Sequence, residues 1–511
     1  MNAAPFAGVL ASCPRRAMLA TAAGACAAAG FSPFGLSWLT GLCLTGLILI
    51  WLRTPTPREA ALHGFLFGAG LFGAGATWIY VSLHEFGMMP APLAAAATAF
   101  FCAYLALFPA LTGSIQARID APPAVQATLM APALWVLTEW MRGWLLTGFP
   151  WLAMGYSQID TPFAGYAPVL GVYGVSLFLA IASGALAAAC VIARVPARLS
   201  MLAITAVLIA GGALLRNVEW VSAAGAPVPV ALIQGNIAQS TKFEPAQYAS
   251  TLATYKRLVE SSNAKLIVLP ETALPRFLDL VDPAYLDGLA EFARRQQADI
   301  LLGAPYRHRN GDYFNGVVNL GFSELQFYAK SHLVPLGEFV PPEFKWILGT
   351  LRIPLSDFSA GTHPKPMRAA GELVGITVCY EDAFGEELIA QLPEATLLAN
   401  LSNVAWFGDS LAPQQHLQIS RMRALETGRT MLRATNTGVT AIIDERGKVI
   451  AQLPQFSEGV LHARAQPHGG TTPYVRVGNR AVLAACALAL LAALFFVLWQ
   501  RRSISHSRVK S

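Results

Sequence analysis

Three residue types that could divide an acyl transfer among themselves stand far apart in this 511-residue chain, each just beyond an apolar run of strand length. Leu266-Ile-Val-Leu-Pro-Glu271 sets a carboxylate after a proline. Tyr328-Ala-Lys330 offers an ammonium, and Glu338 follows it with a second carboxylate. Gly375-Ile-Thr-Val-Cys379-Tyr380-Glu381 places a thiol where a run ends, with Glu381 and Asp382 directly after it. Singly, each has an ordinary use as core cysteine, solvated lysine or capping glutamate. Together they supply nucleophile, base and cation, the set needed to form an acyl-thioester and pass it on. Cys379 is also the one cysteine between residues 221 and 470. The others, Cys13, Cys26, Cys43, Cys102, Cys190 and Cys486, lie in the N-terminal tail or in apolar segments, where a thiol behaves as a small hydrophobe. A thiol with no partner in its own domain is a liability in an oxidising compartment unless its reactivity is used.

These groups need a scaffold. Runs of strand length occur at 228–233, 266–269, 300–302, 317–320, 374–378, 396–401 and 440–443, with helical stretches at 245–261, 283–297 and 413–429 between them. Strands and helices mixed over this length predict one α/β domain, 221–470, built on buried sheets. Outside it the composition changes. The whole chain is 54% hydrophobic and only 13% charged, with a mean hydropathy of +0.47, against about 25% charged residues in soluble domains. The charge deficit lies in residues 1–220 and in the 479–500 run, which a basic tail, 501–511, follows. A helix rising 1.5 Å per residue needs about 20 apolar residues to cross a bilayer. Eight candidates fit: 17–32, 35–52, 62–82, 91–115, 124–141, 166–193, 199–215 and 480–499.

Basic residues orient the spans. Arg15, Arg16, Arg53, Arg58, Arg118, Arg194, Arg198 and the tail's Arg501, Arg502, Arg508 and Lys510 all fall on one side, while loops 30–36 and 83–90 contain no lysine or arginine. Arg142 and Arg216 dissent. The expectation is that both termini are cytoplasmic and that 221–470 lies across the membrane, which in a bacterium is the periplasm. The net charge of +6 therefore belongs to membrane flanks and gives no reason to expect nucleic acid. Glycines 64, 68, 70, 73 and 75 have the spacing of close helix packing. Trp140, Trp144, Phe149, Trp151 and Tyr156 suit an aromatic belt or a mouth for lipid. The apolar stretch 344–355, with Trp346, suits a core helix or a lid dipping into the bilayer surface.

The segments around Glu271, Lys330 and Cys379 resemble the Glu-Lys-Cys signature of the nitrilase, or carbon–nitrogen hydrolase, superfamily. The resemblance covers most of 228–465, including Asn315 in Tyr-Phe-Asn-Gly and Asn400-Leu-Ser-Asn-Val-Ala-Trp406. With Lys-x-His-Leu-Val-Pro-x-Gly-Glu-Phe-Val-Pro at 330–341, Val-Cys-Tyr-Glu at 378–381 and Gly-Phe-Pro-Trp-Leu-Ala-Met-Gly-Tyr-Ser-Gln at 148–158, the whole chain resembles the apolipoprotein N-acyltransferase family. One departure is Phe243, where relatives often carry tryptophan; it offers an aromatic wall without an indole N–H. The resemblance implies an eight-helix membrane bundle bearing an αββα sandwich in the bacterial inner membrane. It implies that Glu271 takes the thiol proton, that Cys379 attacks a phospholipid ester (phosphatidylethanolamine being the usual donor) and that Lys330 stabilises the oxyanion. The acceptor is the α-amine of a lipoprotein's diacylglyceryl-cysteine. Glu338, Glu381, Tyr380 and Asn315 support the triad, and Phe243, Trp346, Trp406 and Trp151 are candidates for lipid contact. No metal or cofactor is implied. Two rivals compete: a membrane-anchored amidase with the same triad, which gives no reason for seven spans before the domain, and a receptor or transporter. Against transport, the spans carry few ionisable groups, and Glu139 stands near a span end.

Overall fold

Along the strand 228–234, successive side chains enter two different cores. Val230 and Leu232 join one buried cluster, and Ala231 and Ile233 join another. The same alternation separates Leu266 and Val268 from Ile267 and Leu269, and Leu301 from Ile300 and Leu302. A strand with both faces apolar must be covered on both. The computed structural model shows by what; it describes residues 14–308, 311–340, 357–362 and 364–509. The 344–355 segment and Trp346 lie outside the described residues.

Fourteen strands are described: β1 Val221–Ala223, β2 Val228–Gln234, β3 Leu266–Val268, β4 Asp299–Arg307, β5 Tyr313–Gly321, β6 Gln326–Ala329, β7 Met367–Ala369, β8 Glu372–Val378, β9 Leu397–Ser402, β10 Met431–Thr435, β11 Ala441–Ile443, β12 Val449–Gln452, β13 Gly459–Ala465 and β14 His468–Gly470. One six-stranded sheet has the order β13-β2-β3-β4-β5-β6, the other β12-β11-β10-β9-β8-β7, and β1 pairs with β14. Val230, Leu232, Val268 and Leu301 of the first sheet share a core with Val374, Ile376, Leu401 and Leu432 of the second. Helices Pro245–Glu260 and Pro283–Arg295 contribute Tyr255, Leu258 and Leu289 to the core behind the first sheet. Helix Ala412–Thr427 contributes Leu417 and Ala424 behind the second. The result is an αββα sandwich, and each strand run expected from sequence overlaps a strand, with Leu269, Thr396 and Thr440 just outside. This unit comprises Trp78–Ala94 and Glu219–Arg476. Trp78–Ala94 packs through Trp78, whose Nε1 donates to Gln415 at 3.1 Å and whose ring lies 4.7 Å from Phe407.

The other unit is helical. Helices Ala91–Gln116, Pro162–Val191, Val195–Leu215 and Arg480–Gln500 are long and apolar enough to cross a membrane, and a fifth span results if Pro57–Gly75 and Trp78–Phe86, bent by 52°, count as one. By length alone the expected eight are not reached. Pro14–Ala28 and Ser37–Leu52 have 15 and 16 residues, and the span expected at 124–141 divides into Pro123–Val125, Gln126–Met130 and Ala131–Arg142. The close-packing role of the glycines holds at Gly64, which meets the Pro109 backbone, and at Gly70, which meets that of Thr21. A Cβ added at Gly73 would meet no neighbouring element within 4 Å among the described residues. The two dissenting arginines are also accounted for. Arg142 is buried and donates to the carbonyls of Phe149 and Trp151, both at 2.6 Å, while Arg216 donates to Thr161 O at 2.8 Å. Both charges are engaged by backbone within the helical unit.

Strand β10 was absent from the sequence reading because Arg433 interrupts its apolar run. The side chain is fully buried, donates to Asn400 Oδ1 at 2.7 Å and Ser420 Oγ at 2.9 Å, and lies 3.6 Å from Asp382. Removing one partner of a buried pair leaves the other charge uncompensated, at a cost of about 3–5 kcal/mol. Arg433→Met should therefore lower the melting temperature of the detergent-solubilised protein by several degrees, measured by differential scanning fluorimetry, although methionine fills much of the space. An unchanged melting temperature would mean that the pair is not compensating.

Candidate active site

Strands β2, β3 and β4 run parallel, as do β8, β9 and β10. Strand β5 is antiparallel to β4 and β6 to β5, so β6 again runs with β4. In such a scaffold loops after the strand C-termini collect at one edge, where α/β folds place their chemistry. Glu271 follows β3, Lys330 follows β6, Cys379 follows β8, and Asn315 sits near the start of β5 opposite Pro305 of β4.

Cys379 opens a tight turn with φ of 57°, the left-handed region that non-glycine residues rarely occupy. Such a conformation costs about 1–3 kcal/mol and persists only where its surroundings enforce it. Two bonds do so here. Asn400 Nδ2 donates to the Cys379 carbonyl at 2.8 Å, and the N–H of Val378 donates to Glu381 Oε2 at 2.7 Å. Asn400 is itself gripped by Arg433, which lies with His416, Ser420 and Asp382 in a buried network; His416 Nε2 is 2.7 Å from Asp382 Oδ1, and Ser420 Oγ donates to Asp382.

Lys330 is fully buried. Its Nζ lies 2.9 and 2.8 Å from the two carboxylate oxygens of Glu338 and 3.6 Å from Glu271 Oε1. Burial pushes the amine toward neutrality, but Glu338, Glu271 and the neighbouring thiol outweigh it and hold Lys330 well above the usual lysine value. The ammonium is therefore a permanent charge. Asn315 Nδ2 bridges the two carboxylates, donating to Glu271 at 2.8 Å and Glu338 at 2.6 Å. Glu271 Oε2 accepts from the N–H of Asn403 at 2.8 Å. Burial, followed by the negative charge of Glu271, pushes the Cys379 thiol well above the ordinary thiol value, with Lys330 pulling the other way. Cys379 is thus held as a thiol in the field of a carboxylate.

Glu381 does not contact the Lys330 ammonium. It accepts from the backbone N–H groups of Ser331 at 2.7 Å and His332 at 3.1 Å, from Ser331 Oγ at 2.9 Å, from Tyr328 OH at 3.1 Å and from Val378. It thereby ties the segment carrying Lys330 to the end of the strand carrying Cys379. Burial pushes its carboxyl up, against Lys330 and these donors. Tyr380 donates to Leu333 O at 2.8 Å, and its ring lies 5.5 Å from the ammonium. The structure thus brings Glu271, Lys330, Cys379, Glu338, Glu381, Tyr380 and Asn315 together. Trp406 lies in the turn after Asn403, 6.1 Å from Phe86, and Phe243 is half-buried beside Lys242. Trp151 belongs to the helical unit, where it is buried beside Phe149.

Residues 23–186 match the family described as apolipoprotein N-acyltransferase N-terminal domain, and 229–472 match carbon–nitrogen hydrolase. The apolipoprotein N-acyltransferase of Nitrosomonas europaea is 50% identical, covering 93% of this chain and 96% of that one. Those of Methylococcus capsulatus and Chromobacterium violaceum are each 44% identical, covering 89% and 98% of this chain and 91% and 99% of theirs. The chain belongs to the apolipoprotein N-acyltransferase family.

Several site residues escaped the sequence reading of this family member. Asn400 and Asn403 were visible as polar residues within the quoted stretch around β9, an otherwise apolar run. Gln239, which accepts from Asn403 Nδ2 at 2.9 Å, and the fully buried Lys242 sit on a turn where only Phe243 had drawn notice. His416 and Arg433 carried no local signal, because their partners lie on different elements, and Asp382, noted as an acid after Cys379, gave no sign of its partners.

Glu381→Gln tests the tie between the two segments. Its new amide N–H₂ must face at least one of the N–H donors that the carboxylate accepts, leaving a buried donor unsatisfied at about 1–3 kcal/mol. Activity should fall about tenfold or more, with the loss in kcat and little change in KM, as measured by steady-state kinetics. A loss confined to KM would contradict the positioning role.

Proposed function

We propose that this protein is an N-acyltransferase that moves a fatty acyl chain from a phospholipid to the N-terminal amine of a lipoprotein's diacylglyceryl-cysteine, through a thioester on Cys379. The observation that carries the reading is a buried thiol in a strained turn that feels the carboxylate of Glu271, with the Lys330 ammonium paired to Glu338 and lying 3.6 Å from Glu271. Because burial keeps the thiol protonated, it needs a base, and Glu271 takes its proton as Sγ attacks the ester carbonyl carbon. The carbonyl electron pair moves to oxygen, forming an oxyanion that Lys330 stabilises. Collapse expels the lysophospholipid alkoxide, which receives the proton from Glu271, and leaves the acyl-thioester. The acceptor amine then attacks the thioester carbonyl, Glu271 takes the amine proton, and the departing thiolate recovers it. One ester is exchanged for one amide.

Phosphatidylethanolamine is the proposed donor. Family membership and the apolar helices support a bacterial membrane setting. Within it we assign eight spans, seven in 1–220 and one at 479–500, a periplasmic catalytic domain at 221–470 and a cytoplasmic tail at 501–511. With labelled phospholipid and a diacylated lipopeptide, the expected product is N-acylated peptide; free fatty acid instead would favour an amidase-like hydrolase.

With phospholipid alone, mass spectrometry should find a fatty acyl adduct on the peptide containing Cys379, absent in Cys379→Ser. Glu271→Asp and Lys330→Arg separate a catalytic pair from a structural one. A carboxylate one carbon shorter falls out of hydrogen-bond reach, and a planar guanidinium cannot replace a compact ammonium. Loss of an oxyanion donor costs about 2.7–4 kcal/mol, so thioester formation should slow by about a hundred- to a thousandfold. Acylation of either variant near the wild-type rate would refute the role of the residue changed. For topology, a reporter fused after Ala465 should be active only in its periplasmic form; cytoplasmic activity overturns the orientation.

A further inference from the structure

Lys242 is fully buried on the turn after β2, and the mechanism above leaves it without a task. Its Nζ donates to the main-chain oxygen of Glu271 at 3.4 Å. Among the described residues no carboxylate comes within ion-pairing distance, in contrast to Lys330, which has two. On its own turn the ionisable neighbour is Glu244, which is exposed. The loop after β3 contributes Glu271, whose negative charge acts on the lysine. The ends of β9 and β10 pack on the same turn through uncharged groups. Asn403 Nδ2 donates to Gln239 at 2.9 Å, and Asn436 Nδ2 donates to the Ile237 carbonyl at 2.7 Å and to Asn403 Oδ1 at 3.2 Å. Asn403 in turn gives its N–H to Glu271. The turn, its lysine and the base therefore form one connected assembly.

A buried cation without an ion-pair partner is costly, and a fold selected for stability alone would place an apolar side chain there. Burial pushes Lys242 down to about 8, against the pull of Glu271. Because the folded value lies below the unfolded one, the charge weakens the fold below about pH 8. That penalty fades as pH rises from there toward the ordinary lysine value.

We propose that Lys242 is a positioning residue of the acylation site: its ammonium, anchored on the Glu271 main chain, is a second cation beside Lys330 that fixes the base and balances its charge. This rests on the proposed role of Glu271 as base. It gives the first half-reaction a dependence on pH that Lys330, charged throughout, does not supply.

The test is the rate of Cys379 acylation with phosphatidylethanolamine vesicles and no acceptor, so that no acceptor amine titrates. In the full-length wild type the rate should fall as pH rises through about 8, where the ammonium is lost. Lys242→Met should be slower by about tenfold at neutral pH, the order expected for losing one hydrogen bond from a charged group, and should lack that limb. It should also melt at or above the wild-type temperature, because a buried charge has been removed. Lys242→Gln, which keeps a polar head, should show the same loss of the limb. A limb that persists in either variant belongs to another group and overturns the inference, as does a wild-type profile flat through this range. A collapse of melting temperature in both variants would make the lysine structural and overturn it equally. Absence of any acyl adduct on wild-type Cys379 would instead refute the thioester reading itself.

Discussion

The rest of the catalytic unit depends on one fully buried ammonium. Lys330 can remain charged away from water only because Glu338 meets it with both oxygens and Glu271 stands 3.6 Å away. Desolvation of a buried ammonium costs several kcal/mol, and two carboxylates offset that cost better than one. Two carboxylates around one cation leave an excess negative charge, and the site answers with donors: Asn315 to both, the Asn403 N–H to Glu271, and the Val334 N–H to Glu338 at 2.8 Å. Each donor comes from a different strand end or loop. The sandwich topology meets this need, since the ends of its parallel strands and the start of antiparallel β5 gather these chain segments at one edge.

That dependence explains what the sequence could and could not reveal. Apolar alternation is local, so the strands 228–234, 266–268 and 372–378 and the three flanking helices were legible from period and punctuation. Glu271, Lys330 and Cys379 were legible because reactive side chains followed such runs. Strand β10 was not, because Arg433 reads as a surface residue until Asp382 and Asn400, some 30 to 50 positions earlier, fold against it. Glu381 was placed among the supporting groups, but its work on the backbone of Ser331 and His332 could not be read from spacing. In the helical unit the apolar runs marked the helices well and their ends poorly. The third candidate, 62–82, contains a break after Gly75 that leaves Trp78 packed with Gln415 in the catalytic unit. A hydropathy window cannot see that the same apolar residues serve two different units.

Arg142 carries the same lesson in the opposite direction. Counted as a loop charge it contradicts the orientation given by the other basic residues. In the structure it is buried, with its guanidinium on the carbonyls of Phe149 and Trp151, while Glu139 one turn earlier accepts from Trp135 Nε1 and from the Met154 N–H, both at 2.9 Å. The Gly148–Gln158 motif is therefore folded back over its own helix end by two charged side chains. Those charges organise backbone and do not report on a membrane face, so the count is better made without them.

A thiol held well above its ordinary value is, on its face, a poor nucleophile. The arrangement becomes intelligible when two successive reactions share one site. A thiolate standing ready in the resting state would be exposed to oxidation and to any electrophile that reached it. Under the proposed mechanism, a thiol that ionises only as Glu271 accepts its proton reacts only when a carbonyl is in place to receive the new bond and Lys330 to receive the new charge. In that mechanism the same high affinity for protons favours the return of the proton to sulfur when the amide has formed, and so would reset Glu271 as a base. On this reading Lys330, the bridging Asn315 and the strained turn at Cys379 act on a single variable, the position of one proton between sulfur and carboxylate. This is why a group as remote in sequence as Arg433, acting through Asn400 on the Cys379 carbonyl, belongs to the chemistry as much as to the core.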